Sequence, residues 1–172
     1  MELFVAKTFV KVECEEWTLA LPDAELCCSE SAAAVLALEG LGNIDCEISI
    51  VLADNKMVKN LNREWRGVAS ATDVLAFPNQ ECSPIGGGSR LLGDVVVAFG
   101  VASREAGLAN VSLHDHLSHL IVHGVFHLLG YDHLDETEAA IMEAKETEVL
   151  ANFGVSDPYY FKSAARSRSE VI

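Results

Sequence analysis

Three histidines, an aspartate and a tyrosine occur together in the segment HGVFHLLGYDH, residues 123–133. His123 and His127 are four residues apart, which on a helix places their Cβ atoms about 5–6 Å apart on one face. Two imidazoles at that spacing can bind the same ion, and a helix end at Gly130 lets His133 fold back towards them. Three neutral nitrogen ligands with a fourth position open to water are typical of a catalytic zinc site. The spacing therefore predicts a metal centre, although it does not exclude nickel or another divalent ion.

His119, His114 and Gly124 bear on which histidines bind the metal and on which reaction the site can catalyse. His119 lies one turn before His123 on the same face, and it can be a fourth ligand, a residue that orients a ligand, or a packed core residue. The last two are favoured, because His133 already completes three ligands. His114 points nearly the opposite way and is typical of a solvent-facing residue. Gly124 stands where HExxH zinc proteases carry a catalytic glutamate, so the sequence disfavours a peptidase mechanism.

The elements around this segment predict its position in the fold. Residues 112–130 are expected to form a buried helix, because Ser112 and Asp115 fit a capping box and apolar residues surround most of its circumference. Further helices are predicted at 29–42, 54–65, 101–109 and 137–153, and strands at 3–12, 46–53, 72–77 and 91–99. These elements, four strands and about five helices, predict an α+β fold. The glycine-rich segment 78–90 lacks GxxxxGK[ST] and is predicted to be a flexible hairpin.

Length, charge and cysteine content limit the classes of protein. A chain of 172 residues, half of them apolar, favours a single domain, expected over 1–160, with a flexible polar tail at 161–172. No membrane span or signal peptide is apparent, so a cytoplasmic location is expected. The five cysteines are odd in number and lack CxxC spacing, which favours reduced, mostly buried thiols. The net charge of −14 disfavours non-specific nucleic-acid binding, so an RNA-related role needs a basic cleft, a metal ion or a partner.

The histidine segment also resembles the HGxxHLxGYDH signature of the YbeY family, bacterial metal-dependent endoribonucleases of ribosomal RNA maturation. Further blocks resemble the family in the same order: LNREWRG, TDVLAFP, LLGDVVV, HLSHLIVHG and MEAKETEVLANFGVSDPYY. Together they cover most of residues 44–160. Three positions depart from the usual pattern, with Phe126 in place of leucine, Asp73 in place of asparagine and Ala76 in place of serine. Ala76 removes a hydroxyl near the expected cleft.

The resemblance implies an α+β, zincin-like fold, in which a mixed four-stranded sheet packs with about five helices and the metal-binding helix is central. It also implies that His123, His127 and His133 bind one zinc ion per chain and that Arg66 is the functional arginine beside it. A guanidinium can hold the phosphate oxygens on which negative charge builds up during phosphodiester hydrolysis. The implied activity is that of a single-strand-specific, zinc-dependent endoribonuclease in ribosomal RNA maturation, at the 3′ end of 16S rRNA, and in ribosome quality control. The implied partners are RNA, the small ribosomal subunit, one of its proteins and the assembly GTPase Era, with neither membrane nor DNA.

The sequence does not decide which group is the nucleophile, and it leaves two competing functions open. A bound metal would lower the pKa of a water molecule to about 7 or polarise a phosphoryl oxygen, and either water or the 2′-hydroxyl of the RNA can then attack. One competing function is a ribosome-assembly factor with a structural metal and weak or absent nuclease activity, which a closed site with His119 as fourth ligand would favour. The other is a metallohydrolase acting on a different substrate, such as a peptide. Asp132 is a candidate acceptor for a ligand N–H or a partner of the helix end, and Tyr131 is expected to pack or hydrogen-bond rather than to catalyse.

Overall fold

Four strands and six helices are formed by the residues that the computed structural model describes, 6–80 and 89–160. The strands are β1 (Lys7–Val12), β2 (Cys46–Ala53), β3 (Val74–Pro78) and β4 (Arg90–Ala98). The helices are α1 (Glu15–Ala20), α2 (Ala24–Leu38), α3 (Asn55–Arg66), α4 (Phe99–Ala109), α5 (Leu113–Leu128) and α6 (Glu136–Ala151). The predicted α+β class is confirmed, and the short α1 is an additional helix.

The strands form one mixed sheet in the order β1-β2-β4-β3. β1 and β4 each pair with β2 in parallel, whereas β3 pairs with β4 in antiparallel orientation. β2 has the bounds expected from its sequence, and β3 and β4 begin and end within two residues of theirs. β1 ends at the predicted residue, whereas residues 3–5 of its predicted range lie outside the described residues. The antiparallel β3–β4 pair agrees with the predicted hairpin, although most of its connection, 81–88, lies outside the described residues.

Each face of the sheet packs on a different set of helices, because alternate residues of a strand point to opposite faces. Ile48 and Ile50 of β2 join the main core, to which α2 and α5 also contribute. On the other face Val96 and Ala98 of β4 form a smaller core with Val58 of α3. The helix that carries the histidine segment therefore lies on the larger core, as a buried central element.

The ends of α5 are set by local hydrogen bonds. The Ser112 side chain accepts a hydrogen bond from the Asp115 backbone N–H, 3.0 Å away, so the predicted N-cap is confirmed. Along the helix Leu117, Ile121 and Phe126 are fully buried. α5 packs against α2, α4, α6, β3 and β4. These contacts confirm the prediction of a buried helix at this position.

Two features at the N-terminal side were not predicted. α1 was missed, because six residues are too few for a clear helical periodicity, yet its Trp17 is fully buried. α2 begins at Ala24 rather than at residue 29, and its N-cap residue Asp23 makes no side-chain capping bond. The start of α2 therefore lacks the side-chain cap from which a helix N-terminus is usually predicted.

Four cysteines of the described residues are buried free thiols, as expected: Cys14, Cys27, Cys28 and Cys46. Cys82 and the predicted tail at 161–172 lie outside the described residues. Within the ranges that the structure describes, none of the helices combines the length and apolarity that crossing a membrane requires.

Candidate metal centre

The last turn of α5 and the bend after it bring the three predicted histidine ligands together. Gly130 has φ +93°, and its N–H donates to the carbonyl of His127, while the N–H of Tyr131 donates to that of Phe126. This pair of bonds is the Schellman arrangement, which ends a helix and turns the chain back. One nitrogen each from His123, His127 and His133 then lies within 4.8 Å of the others. The cluster can hold a metal ion.

Glu146 of α6 is a residue of this centre that the sequence reasoning missed. Its side chain is fully buried, and its Oε1 lies 2.8 Å from Nδ1 of His123. Burial disfavours the charged form, but hydrogen bonds from His119, His123 and Tyr159 outweigh it and lower the pKa of Glu146 to about 2. An ionised carboxylate therefore lies directly behind one ligand. Its position on the buried stripe Ala139, Met142, Glu146, Val149 and Leu150 was a signal, because a charge among core positions needs a partner.

The partners of the two helical ligands fix their tautomers. The ionised carboxylate of Glu146 can only accept, so Nδ1 of His123 carries the proton. The backbone carbonyl of Tyr131 likewise accepts from Nδ1 of His127, at 2.9 Å. In its neutral form each ring therefore presents an unprotonated Nε2 to the cluster. This is the form in which histidine binds a metal, and both outer partners hold the rings in place.

The two unprotonated nitrogens provide a test of whether a metal fits. Nε2 of His123 and Nε2 of His127 lie 3.1 Å apart. Two lone pairs at that distance repel each other, and a metal ion bound by both removes the repulsion. Nitrogens bonded to one tetrahedral zinc ion are roughly 3.3 Å apart. The donor set and its spacing therefore fit a transition-metal ion.

The electrostatic surroundings of His127 also favour the ligand form. Burial lowers the pKa of His127 from its usual value, and the neighbouring His123 and His133 lower it further. A lowered pKa keeps the imidazole neutral at pH 7, and only a neutral ring can donate a lone pair. His133 is the exposed member of the three.

His119 belongs to the surroundings of the cluster. Its Nε2 lies 3.1 Å from Oε2 of Glu146 and 3.0 Å from the Tyr159 hydroxyl. The Tyr159 hydroxyl also donates to the same carboxylate. His119 is therefore not part of the three-nitrogen cluster and instead holds Glu146, which in turn holds His123.

Arg66 lies in the cavity that contains the histidines. This cavity has a volume of about 690 Å³, and its lining includes Arg66, His123, His127 and His133. Arg66 is the exposed last residue of α3, where Gly67 in the left-handed conformation ends the helix. Within the ranges 6–80 and 89–160, its guanidinium forms no hydrogen bond or ion pair. The side chain is thus available to an anion that enters the cavity.

Asp73 and Ala76, the two cavity residues that depart from the family pattern, differ in the contacts they make. Asp73 accepts hydrogen bonds from the Thr72 hydroxyl and from the N–H of Val74, so its carboxylate is engaged at the start of β3. Ala76 lines the cavity and brings no hydroxyl to it.

The bend residues Tyr131 and Asp132 have structural partners. The Tyr131 hydroxyl donates to Glu39 and its ring packs edge-on against Phe126, so the prediction that it packs and hydrogen-bonds is confirmed. Asp132 accepts from the backbone N–H of His133 at 2.7 Å. That bond helps to turn the chain that carries the third histidine.

Gly124 explains why this centre lacks the glutamate of an HExxH motif. A Cβ at this position would lie 2.8 Å from Cγ1 of Val95 and 3.5 Å from Cγ2 of Val74. The helix approaches the sheet so closely here that even a methyl group would require Val95 to shift. A side chain as large as glutamate is therefore strongly disfavoured directly after His123.

Comparison with known proteins places the chain among relatives that share most of its length. A family model described as Endoribonuclease YbeY matches residues 11–154. The chain is 48% identical over 153 residues to Endoribonuclease YbeY of Paramagnetospirillum magneticum, covering 87% of this chain and 93% of that one. It is 42% identical to the protein of the same name from Methylocella silvestris, covering 87% and 84% of the two chains.

A solved structure has the same fold. The solution structure of TM1509 from Thermotoga maritima matches with a TM-score of 0.51 and 22% identity, covering 88% of this chain and 97% of that one. At this identity the match concerns the fold alone. The family model and the two curated relatives rest on the sequence itself and span most of it. This chain belongs to the endoribonuclease YbeY family.

Proposed function

We propose that this protein is a zinc-dependent endoribonuclease that cuts single-stranded ribosomal RNA precursors, at the 3′ end of 16S rRNA. Membership of the family makes the chain an RNA-cleaving hydrolase. The finer proposal is carried by one observation, that the three-histidine cluster and Arg66 line the same cavity. A metal ion and a phosphate-binding cation would thereby act on one phosphodiester group.

Each residue of the centre has a role that follows from its contacts. A zinc ion held by His123, His127 and His133 would supply Lewis-acid polarisation of a phosphate oxygen or of a nucleophilic water. Arg66 binds the non-bridging oxygens of the phosphate, on which negative charge increases in the transition state. Glu146 and the carbonyl of Tyr131 keep the protons of two rings on Nδ1, so that each Nε2 stays a ligand.

The chemical nature of the products distinguishes the two routes that the sequence leaves open. Attack by the 2′-hydroxyl of the RNA forms a 2′,3′-cyclic phosphate and releases a 5′-hydroxyl end. Attack by water leaves a linear phosphate monoester on one fragment. Analysis of fragment ends by mass spectrometry therefore assigns the nucleophile.

The acidic character of the chain indicates how it meets its substrate. A net charge of −14 repels RNA at long range, so strong intrinsic affinity is not expected. We assign delivery of the substrate to the partners that the family resemblance implies, namely the small ribosomal subunit, one of its proteins and the GTPase Era. The setting is the cytoplasm, the task is ribosomal RNA maturation and quality control, and a single domain over 1–160 carries the activity.

The test is cleavage of a small-subunit rRNA precursor by the zinc-loaded protein. His127→Ala, purified in parallel, removes a ligand and controls for contaminating ribonuclease, while His114→Ala removes an exposed histidine outside the cluster. We expect wild type and His114→Ala to cleave, and His127→Ala and chelated wild type to be inactive. Equal cleavage by wild type and His127→Ala would contradict the proposal.

The geometry favours this function over an assembly factor with a structural metal. A closed structural site has four protein ligands, and His119 is the residue that could complete it. In the structure Nε2 of His119 faces Glu146 and Tyr159 instead. Three protein ligands beside an accessible cavity are the arrangement expected of a catalytic centre.

A further inference from the structure

A second cavity adjoins the metal centre on the outer side of β3 and β4. It is a groove of about 720 Å³, and its walls include Trp65 of α3 and Phe77 of β3. The two rings meet edge to face, with centroids 6.1 Å apart and an interplanar angle of 62°. The groove is therefore lined by an aromatic pair in a fixed mutual orientation.

Trp65 is strongly exposed for its type. It retains 67% of its accessible surface, whereas Trp17, the other tryptophan of the chain, is fully buried. An exposed indole leaves a large apolar surface in water, and such surfaces commonly mark binding sites. About two thirds of the Trp65 surface is thus available to a ligand.

The groove and the cavity that holds the histidines lie on opposite faces of the sheet, separated by the edge strand β3. Ala76 and Pro78 line both. Trp65 also directly precedes Arg66, so the aromatic face and the guanidinium leave the same turn of α3 on neighbouring sides. A polymer that passes round the edge of β3 can therefore place a phosphate at Arg66 and a neighbouring group in the groove.

The groove and the cavity with the histidines differ in the charged residues that line them. Asp94 is the one charged residue in the described lining of the groove, and its carboxylate has no hydrogen-bond partner in the described part of the chain. A carboxylate repels a phosphate but accepts hydrogen bonds from the amino groups of nucleobases. The groove therefore suits a base better than a phosphate, whereas the other cavity contains Arg66, a cation that can bind a phosphate, together with Asp73 and Asp132.

From these contacts we propose that the groove binds one unpaired nucleobase of the RNA, stacked on Trp65, beside the phosphate that is cut. The inference rests on the proposed endoribonuclease function and names a substrate-binding subsite for it. Stacking on an aromatic ring is available only to a base that is not paired, because a duplex keeps its bases stacked on each other. The subsite thus accounts for single-strand specificity. It also provides affinity that does not depend on positive charge.

Fluorescence tests the contact directly. In the inactive His127→Ala variant, we expect a short single-stranded RNA to quench the emission of Trp65 on binding. His127→Ala combined with Trp65→Phe retains only the buried Trp17, and its emission should stay constant. Equal RNA-dependent changes in both proteins, or none in either at saturating RNA, would overturn the proposal.

Kinetics test the role in cleavage. Base stacking measured by alanine substitution predicts a loss of about 5- to 100-fold in kcat/KM for Trp65→Ala. Trp65→Phe should recover most of that loss. Leu108→Ala removes an exposed leucine of α4 that lines neither cavity, and it should match wild type.

RNAs that lack a single base complete the test. With wild type, removing the base at one position near the cut should reduce kcat/KM as much as Trp65→Ala does, and with Trp65→Ala it should cost nothing more. Trp65→Ala cleavage equal to wild type, or a loss that is the same for every position of the missing base, would contradict the subsite. In that outcome a protein partner is the remaining occupant of the groove. Absence of cleavage by wild type itself would instead contradict the proposed function, and the fluorescence result would still decide the subsite.

Discussion

Nδ1 of His123 on α5 lies 2.8 Å from Oε1 of Glu146 on α6, and this contact joins the candidate metal centre to the core. The carboxylate is fully buried and also receives hydrogen bonds from His119 and Tyr159. Residues of α5, of α6 and of the chain after α6 therefore act together, through Glu146, to hold His123. The orientation of His123 depends on tertiary structure as much as on its helix.

Glu146→Gln is expected to weaken zinc binding by about 10- to 100-fold, the usual effect of removing a group that orients a ligand. Glutamine keeps the volume but loses the negative charge that makes His123 a stronger donor. Competition with a chromogenic zinc chelator measures the affinity. Glu148→Gln, on the exposed side of the same helix, is the control and should bind as wild type does. Unchanged affinity in a folded Glu146→Gln protein would show that the carboxylate does not act on the metal.

Zinc should stabilise the protein through the three histidines. At a free concentration a thousand times the Kd, a single bound ion adds about 4 kcal/mol to the free energy of unfolding. Thermal unfolding of chelated and zinc-loaded wild type should therefore differ clearly in Tm. The difference should largely disappear in His133→Ala and persist in His114→Ala. A full zinc-dependent shift in His133→Ala would remove that residue from the ligand set.

Arg66→Ala should lower kcat by about 100- to 1,000-fold, the range found when one preorganised donor to a developing negative charge is removed. Arg66→Lys keeps the charge but not the bidentate fork, so it should recover only part of the rate. Steady-state cleavage of the rRNA precursor measures both. Zinc content should not change in either variant. Arg63→Ala, on the same helix but outside the cavity lining, should retain activity, and equal losses at both positions would argue against a specific role.

Gly124→Ala tests the close approach of α5 to the sheet. The added methyl meets the fully buried Val95, and such overpacking costs about 1–3 kcal/mol. The better helix propensity of alanine offsets up to about 1 kcal/mol. With an overpacking cost of about 2 kcal/mol, the middle of that range, the net loss in the free energy of unfolding should be about 1 kcal/mol, measured by urea denaturation.

Gly107→Ala is the matched control for this change, because it lies in a helix with open space around its Cβ position. It should raise the free energy of unfolding by up to about 1 kcal/mol. A stabilising effect of Gly124→Ala equal to that of Gly107→Ala would contradict the steric argument.

Much of the fold followed from local signals in the sequence. β2 alternates and is rich in β-branched residues, and its predicted bounds agree with the structure. Asp54 and Ser112 cap α3 and α5 through their side chains, which is why these starts were predictable. α1 and the beginning of α2 lack such signals, since neither N-cap residue forms a side-chain bond to the helix. Sequence patterns therefore identified best the helices whose first turn is fixed by a hydrogen bond to the N-cap side chain.

The residues of the candidate site likewise differ in how far they could be predicted from the sequence. The histidines lie within one helix and the bend after it, so their spacing alone brought them together. Arg66 came from the family resemblance, because no local pattern places the end of α3 beside α5. Glu146 was missed because a contact between residues 23 positions apart depends on how α6 packs on α5. Its place on a buried stripe could have identified it as a charge that needs a partner.

The hydrogen bonds to Glu146 also imply an order in which the parts of the candidate metal centre become available during synthesis. Translation delivers the three ligand histidines by residue 133, the carboxylate at 146 and the hydroxyl of Tyr159 later still. A nascent chain that has not reached Glu146 carries the imidazoles without the group that sets the tautomer of His123. Domains fold as units during synthesis, so the complete centre forms only when nearly all of the described chain is available. A truncated chain that ends before Glu146 is therefore expected to keep the three histidines but to lack the hydrogen bond that orients His123.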